Sequence, residues 1–151
     1  FDKALSVFQS VGKNIHYCGE SGSGQAVKLC NQVLCAVNMI AVCESITLAR
    51  SLGIKPELMI EVCGSGAAGS WALSNLGPRI VAGNLEPGFM IKDMQKDLRL
   101  VDESISEAQV HLEGTDLARK KFNEAMSCLG AQGKLNGTQA MIAAYGKCES
   151  W

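Results

Sequence analysis

Apolar positions along most of this chain recur every three or four residues, the spacing of a helix face rather than the alternation of a strand. Ile91, Met94, Leu98, Val101, Ile105 and Ala108 trace one such stripe and predict an amphipathic helix over about 90–108. Ala118, Phe122, Ala125 and Leu129 repeat the pattern, as do Met141, Ala144 and Cys148. The stretch 25–52 is different. It is apolar on nearly every side from Val33 to Val42, so neighbours should surround it. At ~1.5 Å per residue this helix would be roughly 40 Å long, with Gly53 as its stop. Pro56 suits a first helical turn and predicts a helix to about Val62. A loop of small residues, 64–69, leads into a short helix containing Trp71 and Leu73, and Pro78 is expected to open another short turn.

The first eighteen residues break the pattern. Leu5, Phe8 and Val11 fit a short helix ended by Gly12, and 14–18 reads as a short strand. One strand cannot make a sheet, so 1–18 looks like the tail of a unit lying upstream. The expected fold class is all-α: a helical domain, 19–151, around a long buried central helix, with an N-terminal αβ stub at 1–18.

Composition narrows the function classes. The 151 residues are 47 % hydrophobic and 19 % charged, with a formal net charge of −1. That is a globular chain with one core. It has no basic field for nucleic acid and no polybasic patch for a membrane. The uncharged run 29–43 is interrupted by Asn31, Gln32 and Asn38 and is too short for a bilayer span. The seven cysteines are odd in number and lack C-x-x-C spacing. They read as buried thiols in a reducing, cytoplasmic setting rather than as a disulfide frame or zinc site.

Three clusters are candidates for chemistry. Lys28 and Asn31 stand at i and i+3 near the start of the apolar helix, just after Gly22 and Gly24. A lysine there either reaches out to water or serves chemistry. The helix dipole disfavours an ammonium at that end, which costs the structure but suits a proton donor. The second cluster, 64–70, could offer backbone N–H groups to an anion. No strand precedes it and no G-x-x-x-x-G-K-[ST] is present, so a tight inter-helix turn is the better reading. Third, Lys92, Lys96 and Arg99 form one basic stripe on the 90–108 helix, suited to a phosphate or carboxylate, although charged faces are usually just solvated. His16 and His111 lack ligand spacing, so no metal site is assigned.

Taken in order, these motifs resemble the C-terminal helical domain of the β-hydroxyacid dehydrogenase family, which includes 3-hydroxyisobutyrate dehydrogenase, tartronate semialdehyde reductase and glyoxylate/succinic semialdehyde reductases. The family pattern G-x-x-G-x-G-x-x-x-K-x-x-N stands here as Gly19, Gly22, Gly24, Lys28 and Asn31. A second landmark stands as Pro87-Gly88-Phe89 followed by Lys96-Asp97-Leu98, and the Ser70-Trp71 and Pro78-Arg79-Ile80 steps also fit. The resemblance implies that Lys28 is catalytic, handling the proton of the substrate oxygen while hydride passes to or from NAD or NADP. It implies that Asn31 and Gly24 contact substrate, that Lys96 contacts the cofactor, and that Asp97 fixes Lys96. A catalytic lysine favours a carbonyl/alcohol pair over an imine. Family members often carry a second Asn directly after the first, where this chain has Gln32.

The resemblance leaves out the family's dinucleotide-binding Rossmann domain with its G-x-G-x-x-G; residues 1–18 would be its last helix and strand. The expectation is therefore the C-terminal catalytic half of an NAD(P)-dependent 3-hydroxyacid dehydrogenase or semialdehyde reductase, inactive without the N-terminal domain that cradles the cofactor. The expected partners are a small hydroxyacid or semialdehyde and a second copy in a homodimer, with no nucleic acid and no membrane. The alternative is a non-enzymatic helical dimerisation module descended from such a domain. An intact Lys28–Asn31 pair favours the first, because a dimerisation module has no use for it.

Overall fold

The computed structural model describes residues 1–106 and 110–146, so Ala108 and Cys148 of the apolar stripes lie outside the described residues. Six α-helices follow one another among the described residues: α1 Leu5–Val11, α2 Ser23–Ser51, α3 Pro56–Gly64, α4 Trp71–Val81, α5 Ile91–Ile105 and α6 Glu113–Leu129. A 3-10 turn at Asp2–Ala4 precedes α1, and two 3-10 segments, Gly130–Leu135 and Thr138–Tyr145, follow α6.

α2 is the axis of the body. It packs against α3, α4, α5, α6 and the last 3-10 segment. Its inward face is Gln32, Ala36, Met39, Cys43 and Ile46, a spacing of four, three, four and three that lays one stripe along a helix. The expectation of neighbours on every side is corrected here. Leu34 is 63 % exposed and Leu48 58 % exposed on the rest of the same helix. By length and composition alone α2 would cross a membrane. Here Ala36, Cys43 and Ile46 are fully enclosed by the other helices, the position of a core helix. Gly53 ends it as expected. At φ +69 it takes the left-handed conformation that closes the helix, and the Ile54 N–H donates back to the Ala49 carbonyl.

Pro56 opens α3, and the Ser70 hydroxyl caps α4 by accepting the Leu73 N–H at 3.0 Å. The turn expected at Pro78 is not a break: α4 runs through it to Val81. In an 11-residue helix with Ala72, Leu73, Gly77 and Ile80 buried, packing outweighs the one missing N–H. α5 buries Ile91, Met94, Leu98 and Val101, and α6 buries Ala118, Phe122 and Ala125.

The last stripe departs from its α-period. Residues 138–145 wind as a 3-10 segment with Ala140, Met141, Ile142 and Ala143 all buried. The segment is wedged against α2, α4, α5 and α6, so consecutive side chains find cover and no amphipathic face is needed. The preceding turn comes so close to α6 that a Cβ on Gly133 would lie 2.6 Å from the Met126 carbonyl oxygen.

The N-terminal region contrasts with this body. The strand expected at 14–18 does not form; those residues have no ladder partner among the described residues. Phe1 instead packs on Phe8 and Tyr17, and no residue before Gln32 is buried. The cysteines also need correction. Cys43 is buried, and burial with Glu44 alongside pushes its thiol well above the usual range. Cys18, Cys30 and Cys35 are exposed free thiols, and Cys63 is a half-buried one.

Candidate active site

The first two turns of α2 project from the body uncovered, and the site begins there. Lys28, Gln32, Cys35 and Met39 share one face of α2 and form one wall of a cavity of about 170 Å³. Trp71, Ala72 and Leu76 of α4 form a second wall, and Phe89, Met94 and Thr138 close it. The lining is largely apolar with a few polar groups converging, the common form of a small-molecule pocket. The Lys28 side chain is exposed at its edge, with Nζ 5.8 Å from the centre of the Phe89 ring, within reach of a cation–π contact.

Asn31 and Gln32 stand differently toward this cavity. Asn31 does not line the cavity; it donates from Nδ2 to Gln32 Oε1 at 2.9 Å and to Cys35 Sγ at 3.5 Å. Gln32, one turn beyond Lys28 at i+4, lines the cavity and is only 3 % exposed. Its Nε2 donates to Asp97 Oδ2 on α5 at 2.6 Å. Asp97 is itself buried, and its Oδ1 lies 2.7 Å from Lys96 Nζ, whose side chain is 56 % exposed. Asn31, Gln32, Asp97 and Lys96 thus form one continuous polar chain from α2 to α5. A buried carboxylate is stable only with such partners. Gly24 sits in the exposed first turn of α2, where a Cβ would meet nothing within 4 Å. None of the described residues requires glycine there.

The basic stripe on α5 divides. Lys96 is tied to Asp97, whereas Lys92 and Arg99 border a shallow surface groove with Arg119 and Lys134, away from the cavity. The 64–70 segment is the α3–α4 connection, as its local chemistry suggests.

The wall carrying Phe89 is irregular backbone, yet it is held firmly. Gln139, fully buried, donates from Nε2 to the carbonyls of Asn84 (3.1 Å) and Glu86 (2.9 Å). Arg79 donates to the same Glu86 carbonyl and to the Asn84 side chain. Backbone bonds then zip the strap to the segment before the last 3-10 turn: Gly137 N–H to Leu85, Thr138 N–H to Phe89, and Ile91 N–H to Asn136. These anchors were missed by sequence reasoning. The one signal available was Gln139 itself, a polar side chain ahead of an all-apolar run. Beside α2, Tyr145 donates toward Glu44 at 3.4 Å, and Lys121 lies 4.7 Å above its ring. Burial, then Glu44, raise the Tyr145 hydroxyl well above its ordinary range.

Comparison with known proteins bears on this geometry. The family model for the NAD-binding domain of NADP-dependent 3-hydroxyisobutyrate dehydrogenase matches residues 22–145. An uncharacterized oxidoreductase of Synechocystis is 52 % identical over 145 residues, which are 96 % of this chain and 48 % of that protein. The 2-hydroxy-3-oxopropionate reductase of Escherichia coli is 33 % identical over 132 residues, 87 % of this chain and 45 % of the reductase. Among solved structures, the 3-hydroxyisobutyrate dehydrogenase of Salmonella typhimurium superposes with a TM-score of 0.84 at 26 % identity, covering 94 % of this chain and 49 % of that one. The chain spans about half the length of the curated relatives it matches.

Proposed function

Because this chain belongs to the β-hydroxyacid dehydrogenase family, with 3-hydroxyisobutyrate dehydrogenase among its members, we propose that it is the catalytic helical half of an NAD(P)-dependent dehydrogenase or reductase. Its substrate class is a small 3-hydroxyacid or the corresponding semialdehyde. The observation that carries this reading is the meeting of Lys28, Gln32 and Phe89 at one small, mostly apolar cavity, with the Lys96–Asp97 pair joined to it through Gln32.

In this reading Lys28 gives a proton to the substrate oxygen on reduction and takes it on oxidation. Phe89 and Trp71 shield the carbon skeleton from water. Gly24 and Asn31 border the substrate from the exposed turn of α2, and Lys96 meets the cofactor. The cofactor, NAD or NADP, supplies or accepts the hydride when bound. Its pyrophosphate would rest on a Gly-rich turn supplied by a dinucleotide-binding half. The uncovered end of α2 leaves room for that half, since nothing before Gln32 is buried.

Two outcomes follow. In an enzyme assembled with a dinucleotide-binding half, Lys96→Ala should raise the cofactor Kd about tenfold, the scale of one charge-assisted hydrogen bond. Its kcat should change less than that. Titration of the variant with NADP+ and NAD+ measures this, and an unchanged Kd removes Lys96 from the cofactor site. The chain should also form a homodimer. Leu48, Leu52, Ile54, Leu58 and Val62 are all exposed along the end of α2 and on α3, more apolar side chain than a lone domain usually leaves bare in one stretch. Light scattering should give twice the monomer mass, and Leu48→Glu with Leu58→Glu should halve it. A dimer without any dehydrogenase activity in the assembled enzyme would favour the dimerisation-module reading instead.

A further inference from the structure

Gln32 is buried, lines the cavity, and is bonded on both ends of its carboxamide. Oε1 accepts from Asn31 at 2.9 Å and Nε2 donates to Asp97 at 2.6 Å. These two bonds leave the amide one orientation, because reversing it would set an N–H against an N–H and an oxygen against a carboxylate. Asp97 in turn has one oxygen on Gln32 and the other on Lys96. Lys96 and Asp97 are adjacent on α5, a spacing at which helical side chains do not face each other. The lysine therefore needs a fixed carboxylate to curl back to, and among the described residues Gln32 is the one side chain outside α5 that hydrogen-bonds Asp97.

We propose that Gln32 is a positioning residue that couples the substrate cavity to the cofactor-facing lysine. Its carboxamide orients the Asp97 carboxylate, and that carboxylate orients the Lys96 ammonium. The length of glutamine matters: its Cγ lets a residue on α2 reach across to α5, and an asparagine would fall one methylene short. The substrate wall and Lys96 are then one hydrogen-bonded unit, so a disturbance of the wall is felt at the cofactor. This rests on the reading of Lys96 given above, and the test separates the two.

Gln32→Met keeps the length and the packing of the side chain but removes both hydrogen bonds. In the enzyme assembled with a dinucleotide-binding half, it should raise the cofactor KM about tenfold, the scale of one lost charge-assisted bond. Gln32→Asn should fall between Met and wild type, which a role in packing alone would not produce. The double variant Gln32→Met with Lys96→Ala should be no worse in cofactor KM than Lys96→Ala by itself, because both changes break one chain. Multiplying effects would overturn the coupling. In the isolated 151-residue chain, the Lys96 Cε–H signal in NMR should shift in Gln32→Met in the same direction as in Asp97→Ala. An unmoved Lys96 signal in Gln32→Met overturns the proposal whatever the kinetics. If the signal moves but Lys96→Ala leaves cofactor KM unchanged, the coupling stands and the assignment of Lys96 to the cofactor falls.

Discussion

Lys28→Ala, in the enzyme assembled with a dinucleotide-binding half, is expected to lose at least about 100-fold in kcat, the usual scale for removing a positioned general acid or base. The reason lies in where the lysine stands. Among the described residues it is the one cationic side chain lining the cavity. Alanine leaves the apolar walls intact, so substrate KM should rise only a few-fold, and the loss should appear in turnover. Stability should hardly change, because Lys28 is exposed and its recorded contact is the long one to Phe89. Steady-state kinetics with unfolding curves on the same preparation distinguish these effects. Turnover near wild type would remove Lys28 from the chemistry.

Phe122→Ala carries the largest expected effect on stability, about 4 kcal/mol, as for other buried aromatic-to-alanine changes. Phe122 is fully buried in α6, one turn from Ala118 and Ala125, which are equally buried. α6 packs on α2, on α5 and on both 3-10 segments, so the void would open where they all meet. Small flanking alanines cannot swing in to fill it. Since domains of this size are stable by about 5–15 kcal/mol, the variant should unfold at markedly lower urea concentration with an unchanged slope. Leu117→Ala, at a neighbouring but 41 % exposed position, is the control and should stay within about 0.5 kcal/mol of wild type. Equal losses in the two variants would mean that α6 does not pack as described.

What the sequence made legible followed from periodicity. α5 and α6 announce themselves because Met94, Leu98 and Val101, then Ala118, Phe122 and Ala125, each fill one face, and burial and period agree. α2 was legible as a long helix but not as to its covered side, because apolar residues ring it and composition cannot tell a core face from a surface left for a partner. Pro78 misled because a local rule about a missing N–H was overruled by packing that only the tertiary structure reveals. The 3-10 winding at 138–145 was hidden for a related reason. A segment buried on all sides has no polar face to set its period.

The site was legible where a motif named it and obscure where space decided it. Lys28 and Phe89 belong to motifs and do meet at the cavity. That Gln32 lines the cavity turns on one residue of helical rotation and on Asp97, 65 positions away, which no local pattern encodes. The role of Gln139 was obscure for the same reason: its partners, Asn84 and Glu86, are more than fifty positions back along the chain.

That separation has a consequence for how the protein is made. Translation delivers α2 and α4, with Lys28 and Trp71, well before it delivers Gly137, Thr138 and Gln139. Until those residues emerge from the ribosome, the Asn84, Leu85 and Phe89 carbonyls lack the donors that hold them, and only Arg79 grips the loop, at Glu86, so the pocket is less firmly closed on that side. Helices form early from local contacts, whereas this clasp needs a long loop to close. A nascent chain stalled before residue 137 would therefore show much of its helix yet expose the apolar lining of its future pocket, the kind of surface chaperones bind. Synthesis of residues 137–139 is thus the event that fastens the Phe89 wall of the pocket in place.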